Sequence, residues 1–256
     1  MREVDAASQE PMRLASHVGA CQVDDQIVLL DLRRNRYLSI GAEGSSALAH
    51  HVEGWPVARE CTDAKTTPFT LPTSRATSAL IERLAQQGLL TRERTFPLDA
   101  TRGELPRLDA PTASIDFQQG DSRSSTGLCH VARFLRSAAV AALWLRCRSL
   151  ESIAATVASR SARIERQTPN ARVPEAICRA ASAYERLRPF GFTVEEKCLR
   201  DSLALTNYLA AERVVARWVI GVKIRPFGAH SWVQSGPTVL NDQPDHVRRY
   251  TPILVV

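Results

Sequence analysis

The chain has 256 residues, 44% hydrophobic and 23% charged, enough for a real core in one large domain or two small ones. The formal charge of +6 is carried almost wholly by arginine and hints only weakly at anionic partners. No basic run interleaves with aromatics, which argues against nucleic acid as a partner. Six cysteines (Cys21, Cys61, Cys129, Cys147, Cys178, Cys198) are scattered, with no CxxC pair and no Cys/His zinc spacing, so free thiols in a reducing cytoplasm are expected. Met1-Arg-Glu-Val-Asp lacks the apolar region of a signal peptide. The apolar run Val131 to Leu145 is short for a span and carries Arg133 and Arg136, so no membrane insertion is expected. The absence of a Gly-rich phosphate loop excludes ATP binding of the P-loop kind.

Residues up to about Met12 read as disordered. His17 to Val23 and Gln26 to Leu32 are apolar and β-prone, and the cluster Arg33-Arg34-Asn35-Arg36 reads as a turn into a third strand, Tyr37 to Ile40. Gly41 and Gly44 break that strand. Ser45 or Ser46 is placed to cap a helix through Ala47, Leu48 and Val52. A second helix is expected from Ser74 to Gln87, with Ala79, Leu80, Ile81, Leu84 and Ala85 at helical spacing and Gly88 just past its end. Three strands followed by helices describe a small winged-helix-like module over 13–95.

Residues 96–125 change character. Pro97, Pro106 and Pro111 stand among Asp, Thr, Ser and Gln with little periodicity, as in an interdomain linker. The remaining unit, 126–256, opens with helices at His130–Arg146, Glu151–Ile164 and Val173–Leu187, where Pro174 suits a first helical turn. Pro189 and Gly191 punctuate the approach to another helix, Cys198 to Ala211. Strands follow at Arg217–Val222, Ala229–Gln234 and Pro237–Leu240, the last two joined by the turn Ser235-Gly236.

Within that unit a thiol opens a helix, a histidine lies in a strand and a carboxylate follows the next strand. This is the chain order of papain- or transglutaminase-like cysteine sites. A thiolate nucleophile needs a base to take its proton, and the base needs a partner to fix its tautomer. Cys198, His230 and Asp242 supply the three roles. A cysteine in the first helical turn feels the positive end of the helix dipole, and free N–H groups there suit an oxyanion. Lys197 adds to the effect, while Glu195 and Glu196 oppose it. Trp232 shares a strand face with His230 and is placed to shield the Asp–His bond. Each residue alone has a bland reading: buried cysteine, structural histidine, turn aspartate. His246 and Asp245 compete with Asp242 for its place in the triad, although Pro244 turns the chain away from His230. His50-His51 is read as surface, and Cys129-His130 as poorly placed for base catalysis.

The blocks Cys198-Leu-Arg-Asp-Ser-Leu-Ala-Leu205, Ala216-Arg-Trp-Val-Ile-Gly-Val222, Pro226-Phe-Gly-Ala-His-Ser-Trp-Val233 and Val239-Leu-Asn-Asp242 resemble, in order, the transglutaminase-like cysteine peptidase (B2) of lasso-peptide biosynthesis. Val28-Leu-Leu-Asp-Leu32, Arg36-Tyr-Leu38 and Gly88-Leu-Leu90 resemble more briefly the PqqD-like precursor-recognition element (B1) that some B proteins carry fused. The resemblance implies an α+β chain, with a winged-helix-like PqqD-like module ahead of a papain/transglutaminase-like cysteine protease domain. It implies catalysis by Cys198, His230 and Asp242 without metal or cofactor, and removal of a leader from a ribosomally made precursor. It also implies leader binding at a groove between the third strand (Tyr37, Leu38, Ser39, Ile40) and the second helix (Leu80, Leu84). Arg33, Arg34 and Arg36 stand beside that groove, where they would meet acidic leader residues. An asparagine-synthetase-like, ATP-using cyclase is the implied partner. Two alternatives stay open at the level of sequence: a non-catalytic adaptor that scaffolds precursor and cyclase, and an acyltransferase on the same fold.

Overall fold

The computed structural model describes residues 11–56, 75–93, 108–115, 127–168, 171–190 and 198–256. The N-terminal tail, most of the expected linker, Cys61 and the Glu195–Lys197 approach to the nucleophile lie outside the described residues.

After a short strand β1 (Met12–Leu14), three strands β2 (Val18–Val23), β3 (Gln26–Asp31) and β4 (Arg36–Ile40) form an antiparallel sheet in the order β2-β3-β4. The turns fall where short polar side chains tolerate a left-handed backbone, at Asp24 (φ 52°) and Asn35 (φ 50°). Helix α1 (Ala42–Ala49) starts from Gly41 with no side-chain cap. Ser45 and Ser46 are therefore interior to the helix and not its cap; Ser45 instead accepts a hydrogen bond from Trp55 Nε1 at 3.2 Å. Val52, expected in this helix, opens strand β5 (Val52–Glu53). Helix α2 (Arg75–Gln86) ends in a Schellman turn, with Gly88 N–H donating to Ala85 O, Leu89 N–H to Leu84 O, and Gly88 at φ 74°. Strand β6 (Leu90–Thr91) then pairs with β1, which also pairs with β5.

β3 is buried on both faces. Ile27 and Leu29 pack with Leu48, Leu84 and Leu90 in the core under α1 and α2. Val28 and Leu30, with Cys21 and Leu32, belong to a second and larger core built with Phe134, Ile153, Tyr184 and Ile253 from the C-terminal half. The contact is close: a side chain on Gly19 would meet the Ile253 carbonyl oxygen at 2.6 Å. Arg33 reaches Glu151 at 2.8 and 3.1 Å, and Leu32 O accepts from Glu151 N–H at 3.1 Å.

In the C-terminal half, strand β7 (Ala113–Ser114) precedes helices α3 (Leu128–Cys147), α4 (Leu150–Gln167), α5 (Pro174–Leu187) and α6 (Cys198–Ala211). Every residue of α6 from Asp201 to Leu209 is buried, so this helix is the axis of the domain. Strands β8 (Arg217–Lys223), β9 (Gly228–Ser235) and β10 (Thr238–Val239), a short helix α7 (Pro244–Val247) and strand β11 (Thr251–Val255) follow. The sheet order is β11-β8-β9-β10-β7. Residues 108–115, inside the segment expected as linker, lie along this sheet. β7 pairs with β10, Gln234 Nε2 donates to Asp109 O at 2.7 Å, and Arg248 Nε donates to Pro111 O at 2.8 Å. α3 is longer than the apolar run read from sequence and is long and apolar enough, by length and composition, to cross a membrane. It buries Phe134, Ser137 and Ala141 and exposes Leu128, Leu135 and Leu143.

The shared core has a measurable consequence. Leu30→Ala removes a fully buried side chain between the two halves and should destabilise the chain by about 2–5 kcal/mol. In a denaturant titration followed by both tryptophan fluorescence and circular dichroism, the transition should move as one. A shift confined to a separate early transition would show that the halves fold independently.

Candidate active site

Cys198 is the first residue of α6, His230 lies in β9 and Asp242 follows β10. The structure brings the three together. His230 Nε2 meets Asp242 Oδ2 at 2.5 Å, and His230 is hydrogen-bonded to the Cys198 thiol. With Nε2 committed to the carboxylate, Nδ1 is the nitrogen left for sulfur. The backbone N–H groups of Leu199 and Ser231 also point at the sulfur. Asp245 is placed differently: its side chain is exposed and paired with Arg248 Nη1 at 2.7 Å.

Charge follows geometry. Burial pushes the Cys198 thiol up, but the hydrogen bond and charge of His230, with the two N–H groups, outweigh it and bring it below its ordinary value. Burial alone lowers His230; the bonds to Asp242 and Cys198 overcome this and raise it to about 9. Burial likewise raises Asp242, and His230, the Gln243 N–H and His246 together bring it down to about 2. The favoured state is a thiolate–imidazolium pair backed by a carboxylate.

Two buried polar networks set the spacing of these groups. In the first, Ser202, one turn beyond Cys198, shares a hydrogen bond with Ser231, the neighbour of His230, at 2.7 Å, and Trp218 Nε1 donates to both hydroxyls at 3.0 Å. In the second, Asp201 accepts from Tyr184 OH at 2.9 Å and from Asn241 Nδ2 at 3.2 Å, and pairs with Arg188 at 2.9 Å. Asn241 Oδ1 accepts from Val233 N–H at 2.9 Å. The Asn241-Asp242 pair is thus a division of labour, in which Asn241 fixes the loop and Asp242 meets the base.

An aromatic box encloses His230. Trp232 stacks beside it at 6.1 Å and 16°, on the face expected from strand alternation, and Tyr250 and His246 approach at 5.1 and 4.7 Å. Gly221, paired with His230 across β8 and β9, has no room for a side chain. A Cβ there would stand 2.8 Å from the Trp232 ring and 3.0 Å from Tyr250. His246 Nδ1 lies 2.9 Å from Asp242 Oδ2, so His230, Asp242 and His246 also converge as metal-ligand types. Sequence reading missed the parts played by Asp201 and Tyr250, and it weighed His246 as a substitute for Asp242 where the structure sets it beside that residue. The signal for Asp201 was its place one turn into a helix otherwise fated for burial.

The six residues expected at a leader groove divide. Leu38 and Ser39 are exposed on β4, which is the edge strand of its sheet, and Leu80 is half-buried on α2. Ile40 and Leu84 are buried in the module's own core, and Tyr37 packs against Phe227 of the β8–β9 turn. Of the neighbouring arginines, Arg33 is paired with Glu151, and Arg34 with Asp31 and the Gln87 carbonyl.

Residues 134–255 match the family profile described as the Transglutaminase-like superfamily. That match lies wholly within the C-terminal half and spans a little under half of the chain. The chain is also similar to the Microcin J25-processing protein McjB of Escherichia coli, 46% identical over 48 residues. That stretch is 19% of this chain and 23% of McjB, so the chain matches less than a quarter of that relative's length. No solved structure matches the chain.

The ion pair sets a pH signature that needs no substrate. His230 is raised from 6.5 to about 9, so the stability it gains from its partners is full below 6.5 and is lost as pH rises through about 9. Alkylation of Cys198 by iodoacetamide, followed by mass spectrometry, should titrate below the ordinary thiol range. Asp242→Asn weakens the imidazolium and should move that midpoint to higher pH, and His230→Ala should move it further. An unchanged midpoint in His230→Ala would remove His230 as the source of the thiolate.

Proposed function

We propose that this chain is a cysteine peptidase of lasso-peptide maturation, which binds the leader of a ribosomally made precursor and cuts it from the core. The observation that carries the reading is the hydrogen-bonded series Cys198–His230–Asp242 inside the transglutaminase-like domain. The similarity to a protein named for processing Microcin J25 supports the substrate class.

The chemistry follows from the charges. The Cys198 thiolate attacks the scissile carbonyl carbon, and the N–H groups at the start of α6 face the oxygen that becomes negative. The tetrahedral intermediate collapses, the C–N bond breaks, and the imidazolium of His230 passes its proton to the leaving amine. Neutral His230 then takes a proton from water, whose oxygen attacks the thioester and releases the carboxylic acid and the thiolate. Asp242 holds His230 in one tautomer and favours its charged form throughout. The freed amine of the core is the group that a separate ATP-using cyclase joins to an acidic side chain.

Leader recognition is assigned to the edge of β4. An extended peptide adds a strand there through main-chain hydrogen bonds, with Leu38 and Leu80 offering apolar contacts beside it. The PqqD-like identity of this module rests on the sequence resemblance.

The transglutaminase-like match favours one second reading, in which an amine and not water takes the acyl group from Cys198. Incubating the purified chain with precursor and weighing the products separates the two, since hydrolysis leaves a free acid and transfer leaves an amide. Cys198→Ala should reduce cleavage by at least about a thousandfold. Cleavage at the parental rate would overturn the assignment.

Leader affinity is a second test, made with the intact chain because the module shares its core. Leu38→Glu should weaken binding of a fluorescent leader peptide about tenfold or more, the cost of a charge set against an apolar contact. With Arg33 and Arg34 engaged internally, the affinity should change little between low and moderate salt. Unaltered affinity in Leu38→Glu would move the leader site away from β4.

A further inference from the structure

His246 has no part in the proposed cleavage, yet its Nδ1 lies 2.9 and 3.1 Å from the two oxygens of Asp242 and its ring is 4.7 Å from that of His230. The donor atoms of His230, Asp242 and His246 all fall within 4.8 Å of one another, on the side of His230 that faces away from Cys198. We infer that these three residues form a binding site for a divalent transition ion of zinc type, and that filling the site switches the peptidase off. The binding half of this inference stands on the geometry alone; the switching half rests on the proposed function.

Two imidazoles and one carboxylate are the borderline donors that zinc prefers, and they leave a fourth position for water. Zinc–nitrogen and zinc–oxygen bonds of about 2.0–2.2 Å set tetrahedral ligand atoms roughly 3.3–3.6 Å apart. Asp242 Oδ2 now stands 2.5 Å from His230 Nε2 and 2.9 Å from His246 Nδ1, so the donors must open by about 0.5–1 Å to admit the ion. His246, with its side chain 41% exposed, can open its own contact with Asp242, while the His230–Asp242 contact opens by a turn of the Asp242 carboxylate, whose side chain is 18% exposed against 13% for His230. The route in is also from this exposed side. Tyr250 flanks the donors, its ring 5.1 Å from His230 and 5.5 Å from His246, with the Lys223 ammonium 5.1 Å from the centre of that ring.

The consequence for chemistry is direct. The ion takes the Nε2 position of His230 and the Asp242 oxygen that now share a proton, and the protons on Nε2 and on His246 go to solvent. No electron is transferred. A cation bound at Nε2 draws charge from the ring, so Nδ1 no longer takes or returns the proton of the thiol. Asp242, once a ligand, no longer favours an imidazolium. The peptidase loses its base and its orienting group in one event, while the thiol itself stays uncoordinated.

That last point separates this site from the commoner inhibitory pairing of zinc with a thiolate and its histidine. The test measures zinc binding to the full chain against a chromophoric chelator, in Cys198→Ala, Cys198→Ala/His246→Asn and the parent. Exposed Cys129 and Cys147 give a weak background common to all three. Cys198→Ala should keep one tight zinc per chain, and adding His246→Asn should weaken it at least about tenfold, with an unchanged melting temperature showing an intact fold. Asp242→Asn in the same background should weaken it similarly. In the cleavage assay, zinc should inhibit the parent and a chelator should restore it. The zinc concentration for half inhibition should rise at least about tenfold in His246→Asn, scaled to that variant's own metal-free rate. Loss of tight zinc in Cys198→Ala, or equal binding with and without His246, would overturn the site. Faster cleavage on adding zinc would overturn the switch and make the ion a cofactor. Should no variant cleave precursor at all, the binding measurement still decides the site.

Discussion

The geometry of the site hangs on one buried carboxylate that does no chemistry. Asp201 is almost fully buried one turn into α6 and gathers Tyr184 from α5, Arg188 beyond it, and Asn241 from the loop after β10. A charge in such a place is tolerated only when its lone pairs are filled, and each partner that fills one is thereby fixed. Asn241 spends its other end on the Val233 backbone in β9, the strand that carries His230. One carboxylate therefore ties the helix that begins at Cys198, the strand of His230 and the loop of Asp242 into a single unit. Removing it would leave Tyr184, Asn241 and Arg188 seeking partners together.

The second constraint is β3. A strand packed on one face alternates apolar and polar residues, whereas Ile27-Val28-Leu29-Leu30 is apolar without a break. The structure gives the reason: odd positions face α1 and α2, and even positions face the catalytic core. The N-terminal sheet is thus a wall of the domain that holds the site. Glycine at position 19 permits the approach, because the Ile253 carbonyl occupies the space a side chain would need.

Much of this was legible in the residues. Strands β2 to β4, helices α2 to α6 and the β8–β9–β10 region fall within a few residues of where periodicity and turn chemistry put them, and α6 begins at Cys198. Those segments have strong local signals: apolar stripes, Pro174 at a first turn, Gly88 in the left-handed region. Strand β11 and the short α7 were not read, although Pro252-Ile-Leu-Val255 is an apolar run; most of the remaining misses share a cause. β1, β5, β6 and β7 are two or three residues long and exist only through pairing with distant strands, as when Thr238 and Val239 of β10 recruit Ala113 and Ser114. No local pattern announces such pieces. Ser45 looked like a cap because serine usually is one, but a tertiary bond from Trp55 claimed it. At the site, the chain order thiol, imidazole, carboxylate was readable, while the uses of Asp201 and Tyr250, and the place of His246 beside Asp242, were not. Each depends on what packs opposite.

The two constraints meet at Tyr37. It is the second residue of β4, and its ring sits edge-on to Phe227, 5.5 Å away, in the turn that leads into the strand of His230. Burial pushes its phenol up to about 12, and the charge of Cys198 adds to the push. Under the proposed function, a leader paired along β4 runs beside Leu38 and α2, and its cut bond must reach the sulfur of Cys198. The shared core allows no hinge between those points, since the Val28–Leu30 face and the Arg33–Glu151 pair hold the sheet to α4 and β11. The distance from recognised leader to cut bond is then set by the packing of β3 and not by a linker. In such an arrangement the position of the cut follows from where the leader engages β4, and the site around Cys198 needs to read little of the core sequence that follows.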